Sequence, residues 1–147
     1  MSWIVQTLPY IEQSTAYRLF DQEKGAYAPE NARVRKSQLD VFICPSYPGS
    51  NMNEEETAAV GTYAGCHHHL EAPIDVENQG LLFLNSQIRY DEILDGSSHT
   101  LLVGEMIPSR DSLGWVSGTR ATLRNTGSFE EFRARQPREN PGADNPQ

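Results

Sequence analysis

Between Cys44 and Arg124 the sequence is a succession of short apolar runs, each closed by a turn signal. Leu81–Leu84 is among the longest, so nothing in the chain is long enough to cross a bilayer. Short runs at close spacing read as strands joined by turns and loops. Pro45-Ser-Tyr-Pro-Gly-Ser-Asn51 and Asp95-Gly96 are the clearest turns. Strands are expected over Leu39–Cys44, Thr62–Leu70, Leu81–Leu84, His99–Met106 and Leu113–Leu123. The last of these reads as one strand, or as two short ones broken at Gly118. Asn53–Thr57 reads as a solvated acidic loop.

Upstream, Leu8–Asp21 is the best helix candidate. Pro9 suits a first turn, and Leu8, Ile11, Thr15 and Leu19 repeat on one face. Tyr10 and Tyr17 flank that face and are expected in the core, as are Trp3 and Trp115, whole or in part. Residues 22–38 carry no clear period.

The chain has 147 residues, enough for one domain with a real core. Only 37% of residues are apolar, which predicts a modest core with much loop. After Gly127, charged residues interleave with little apolar material. Residues 137–147 are rich in Pro, Asn and Gly and are expected to form a disordered tail, leaving residues 1–136 as the domain. The formal net charge of −8 disfavours a phosphate backbone as partner. No membrane contact is expected of this chain.

Chemistry-bearing residues concentrate in the same stretch. It holds all four histidines and both cysteines. Cys44 and Cys66 are 22 positions apart. Such a pair reads as one disulfide in an exported protein and as two thiols in the cytosol.

In Cys66-His67-His68-His69-Leu70-Glu71, strand alternation would put His67, His69 and Glu71 on one face. A His-x-His pair can hold zinc or a similar ion if Glu71, Asp75 or His99 adds a third ligand. The plainer reading is a polar strand end. Asp75, Glu77 and Gln79 echo the start of a calcium loop, but Ser86 stands where a bidentate Glu is needed. Asp95, Ser97, Ser98 and His99 hold the letters of a hydrolase triad, packed too closely in sequence for its geometry. Glu105 is expected to form a structural ion pair with Arg120 or Arg124. No catalytic residue and no cofactor is assigned.

Taken in series, several segments resemble the bacterial prepilin-type family of unknown function. They are Trp3-Ile-Val-x-x-Leu-Pro-Tyr-Ile-Glu-Gln13, Phe42-x-Cys-Pro-Ser46, Tyr63-Ala-Gly and Asn85-Ser-x-Ile-Arg89. Ile93-x-Asp-Gly-Ser-Ser-x-Thr-Leu-Leu-Val-Gly-Glu105 and Trp115-Val-Ser-Gly-Thr-Arg-Ala-Thr-Leu-Arg-Asn125 complete them. The resemblance spans residues 2–127. Members typically begin with a prepilin cleavage helix and often end in His-x9-Asp-Gly. Neither appears here: Ser109 follows His99 by ten residues, and Gln79 follows His69 by ten.

The resemblance implies a pilin-like α+β head, with a long N-terminal helix packed on an antiparallel sheet and long loops. It also implies an extracytoplasmic location (periplasm or cell surface), where Cys44 and Cys66 would be bridged, and no enzymatic activity. The function this favours is a structural or interaction protein whose partners are other pilin-like subunits or a larger assembly. The alternatives are a metal-binding module built on His67 and His69, and an enzyme whose signature the sequence does not show.

Overall fold

A computed structural model describes residues 1–127 of the chain. The expected boundary at residue 136 and the tail over 137–147 lie outside the described residues. The fold is mixed α+β: a few short helices and one small three-stranded sheet.

The N-terminal region shows how local chemistry overrides a helical pattern. The single helix expected over Leu8–Asp21 is not formed. Instead α1 spans Trp3–Thr7, a 3-10 turn covers Leu8–Tyr10, and α2 spans Ser14–Leu19. Pro9 opens the 3-10 turn, where its missing N–H costs nothing. Glu12 then takes a left-handed backbone (φ 63°), which no α-helix accommodates. Ser2 starts α1: its Oγ accepts from Val5 N–H and donates to Trp115 O at 2.6 Å. The break changes which residues face inward. Ile4, Val5 and Leu8 are fully buried, whereas Tyr10 is 88% exposed and Leu19 half-exposed, against expectation. Phe20 is buried, and Tyr17 packs against the core.

The polar stretch after residue 21 is ordered by one side chain. Asn31 is fully buried. Its Oδ1 accepts from Asp21 N–H at 2.7 Å, and its Nδ2 donates to Asp21 O and Gly25 O. Buried amides persist when so satisfied. The short helix α3, Ala32–Arg35, follows.

Leu39–Cys44 is also not a strand. Asp40–Phe42 forms a 3-10 turn that buries Leu39 and Phe42 and exposes Val41. Burying residues three apart fits a three-residue turn. Trp3 meets Phe42 edge-on, with ring centroids 6.0 Å apart.

The sheet has strand order β2-β1-β3. Central β1 is Tyr63–His68, within the expected Thr62–Leu70. The strand expected over His99–Met106 shrinks to β2, Val103–Glu105, antiparallel to β1. The strand expected over Leu113–Leu123 is absent. Instead β3, Leu123–Asn125, runs parallel to β1, so the sheet is mixed rather than antiparallel. Trp115 lies near the start of the region expected as strand, and its burial explains the departure. It is 1% exposed, its indole N–H donates to Ser37 O at 2.8 Å, and its own N–H donates to Ala59 O. Those partners lie in loops, so the backbone follows the core rather than a ladder.

Leu81–Leu84 is not a strand either. Leu82 N–H donates to Cys66 O, and the Leu82 side chain covers Gly65, where a β-carbon would collide with it. Asn85, with φ 58°, then turns the chain away.

Candidate functional site

Two groups of reactive side chains sit at opposite ends of β1. At its C-terminal end, His67 is buried to 1% exposure beneath the loop that follows. Its Nδ1 lies 3.3 Å from Asn78 Oδ1. That oxygen also accepts from Asp75 N–H at 2.8 Å, and Asn78 Nδ2 donates to Pro73 O. The backbone donor fixes the amide orientation, so His67 donates from Nδ1. Desolvation holds the His67 ring below its ordinary pKa, with the Arg120 charge acting in the same direction.

The expected metal-ligand set does not assemble. β1 ends at His68, so strand alternation does not extend to His69. His69 is exposed and stacks on His68 at 4.7 Å. Glu71 pairs with Arg120, at half-exposed positions. Among the described residues no three His, Cys, Asp or Glu side chains are gathered to hold a metal ion, Asp75 and His99 included. Asp75, at the head of the calcium-like run, accepts instead from Val76 N–H. Ser97 of the triad-like run donates its hydroxyl to Tyr90 OH at 2.6 Å.

The cysteines are not bridged: both are free thiols. Cys44 N–H is tied to Thr62 Oγ1 at 2.6 Å, four residues before Cys66. At about 3.3 Å per residue in extended chain, Thr62 and Cys66 are roughly 13 Å apart, so the tie to Thr62 holds Cys44 toward the far end of β1 from Cys66. Burial raises the Cys66 thiol above its ordinary pKa, and its Sγ donates weakly to His68 O.

At the other end of β1, Cys44 Sγ donates to Glu105 Oε1 at 3.5 Å, and Tyr63 is the direct cross-strand partner of Glu105. Desolvation, then the Cys44 and Glu105 neighbours, hold the Tyr63 phenol above its usual range. Glu105 does not pair with Arg120 or Arg124: among the described residues its ion-pair distance to every cation exceeds the bonding range. An apolar pocket of about 300 Å³ opens beside this carboxylate, walled by Tyr47, Pro48, Met106 and Ile107. The grouping of Cys44, Tyr63 and Glu105 escaped the sequence reading. Its signal was the antiparallel pairing of two runs that were each recognised but not paired.

A larger hollow of about 440 Å³ between the N-terminal turn and loop 82–86 is lined by uncharged side chains. No described helix is long and apolar enough to cross a membrane.

The buried histidine predicts a pH response. The unfolded chain protonates His67 near the ordinary value of 6.5, whereas the folded chain resists the proton. The unfolded state therefore binds more protons below that pH, and stability contributed by neutral His67 is lost as pH falls from 6.5. Urea midpoints across this range should decline in the natural protein and stay flatter in His67→Gln. Parallel declines in the two proteins would assign the effect elsewhere.

No curated protein and no solved structure matches the chain. A family model described as a protein of unknown function (DUF1559) matches residues 1–142, nearly the whole sequence, and the chain therefore belongs to that family.

Proposed function

We propose that this protein is a non-catalytic, extracytoplasmic structural or interaction protein, the head of a pilin- or pseudopilin-like subunit that works through contacts with other proteins. The observation that carries the reading is the exposed apolar surface of residues 84–107. Leu94 is 100% exposed, Ile107 82% and Tyr90 78%, with Leu84, Ile88, Leu101 and Leu102 at least two-fifths exposed. Single exposed apolar residues are ordinary, but seven between residues 84 and 107 leave this segment with apolar area for a partner to cover.

The dispersal of His67, Ser97 and Asp75 agrees with this reading. His67, Ser97 and Asp75 each have a local structural partner instead of converging on one point. The pilin-like aspect and the location rest on the motif series from Trp3 to Asn125.

Photo-cross-linking in the host cell from this segment, read on separated cell fractions, is the test. Protein adducts in the extracytoplasmic fraction support the reading. A cytosolic chain without adducts overturns it.

A further inference from the structure

We propose that the open edge of β2, with the pocket beside Glu105, binds an extended segment of a partner protein that carries a basic side chain. This deepens the interaction reading above and rests on it.

The backbone geometry comes first. Met106 N–H donates to Thr62 O, and Cys66 N–H donates to Leu102 O. In an antiparallel ladder hydrogen-bonded and non-hydrogen-bonded pairs alternate, so 62/106 and 66/102 are hydrogen-bonded pairs, whereas the directly opposed 63/105 and 65/103 are non-hydrogen-bonded pairs. The N–H and C=O groups of Val103 and Glu105 therefore point away from β1. Among the described residues none of them has a hydrogen-bond partner. Such an edge is a template for another strand unless something blunts it. No proline stands between Leu102 and Met106 to do so.

The side chains narrow the occupant. Glu105 is exposed, and no cation among the described residues lies within ion-pair distance of it. The adjoining pocket offers Tyr47, Pro48, Met106 and Ile107 as apolar wall. A lysine or arginine suits that arrangement: its aliphatic stem lies along apolar surface while its charged head reaches the carboxylate. Leu101, Leu102 and Ile107, all exposed, supply apolar contacts along the same edge.

A second copy of the chain fits less well. Each copy carries a net charge of −8. Pairing β2 with its own copy about Gly104 would also set the two Glu105 carboxylates diagonally across the new ladder, with no cation between them. Charge complementarity thus selects a basic partner segment.

The probe is a short fluorescein-labelled peptide of alternating valine and lysine, titrated into the purified full chain. Fluorescence anisotropy gives affinity, and amide chemical shifts locate the site. Expected are saturable binding with shifts at Leu102–Met106, about tenfold weaker binding to Glu105→Gln, and no binding of the peptide with glutamate for lysine. Val103→Pro should abolish binding. It removes an outward N–H and spares the bonds to β1, as edge prolines do. Circular dichroism checks its fold, and Glu105→Gln carries the test if that variant unfolds.

Equal binding of lysine and glutamate peptides, affinity unchanged in Glu105→Gln, or shifts confined to another surface would overturn the proposal. So would a β2-paired dimer in sedimentation that rejects the peptide. If the peptide fails while cross-links from residues 84–107 persist in cells, this edge is wrong and the interaction reading stands.

Discussion

Trp115→Ala should lower the unfolding free energy by about 3–5 kcal/mol. Trp115 is the largest fully buried side chain of the core. Its removal opens a cavity in the core cluster that also holds Ile4, Val5, Leu8 and Val116, and leaves Ser37 O without its indole donor. The backbone around it joins distant segments: Trp115 N–H donates to Ala59 O, Ser2 Oγ donates to Trp115 O, and Ser2 N–H donates to Val116 O. Domains of this size are stable by only about 5–15 kcal/mol. Urea unfolding should therefore show a large drop in midpoint. Trp115→Phe, which keeps most of the volume and loses the hydrogen bond, should fall between. A midpoint shift worth less than about 1 kcal/mol in the alanine variant would contradict this account of the core.

The second large effect is expected at Gly80. A β-carbon there would sit 2.8 Å from the Cys66 carbonyl carbon, and closer still to the Cys66 oxygen and the His67 carbonyl carbon. These are backbone atoms of the central strand and cannot yield. In Gly80→Ala the loop must lift, with loss of the bonds from Gly80 N–H to His67 O and from Leu82 N–H to Cys66 O. Strain of about 1–3 kcal/mol plus roughly 1 kcal/mol for each of the two lost bonds predicts destabilisation of about 3–5 kcal/mol. The variant also has a local signature. Lifting the loop re-exposes the His67 ring to water, and because desolvation is the largest cause of its depressed pKa and outweighs the opposing Asn78 hydrogen bond, the His67 titration should move back toward the ordinary value. Loss of stability with an unmoved His67 titration would contradict the coupling between this loop and the histidine.

Part of the fold was legible in the sequence because it rests on local pattern. Thr62–Leu70 contained β1, Asp95-Gly96 is a turn with Gly96 at φ 80°, and Trp115 is in the core. The helix at Leu8–Asp21 failed because one apolar stripe fits both a continuous helix and two short pieces around a 3-10 turn. The backbone reversal at Glu12 decides between them, and glutamate carries no signal for it. Leu39–Cys44 failed because a run rich in β-branched and aromatic residues says nothing about whether Leu39 and Phe42 must both point inward.

The site was less legible than the fold. His67 and His69 share a face only if the strand continues past His68, and it does not. Asn31 and Asn53 organise their loops from buried positions, yet in sequence they resemble any surface asparagine. The approach of Cys44 to Glu105 depends on the register of β1 against β2 and on the anchoring of Cys44 to Thr62. Both are tertiary facts. The mixed sheet has the same origin: β3 lies parallel to β1 after a connection of more than fifty residues, a distance over which periodicity has no reach.

In the function we propose, the chain works through its exposed apolar segment and not through a reaction centre. A photoreactive amino acid placed in host cells at Leu94, at Ile107, or at the exposed control position Glu23 tests it most directly. Discrete protein adducts are expected from Leu94 and Ile107, recovered outside the cytosol, and none from Glu23. Absence of adducts at all three positions, or the same smear from each of them, would contradict it.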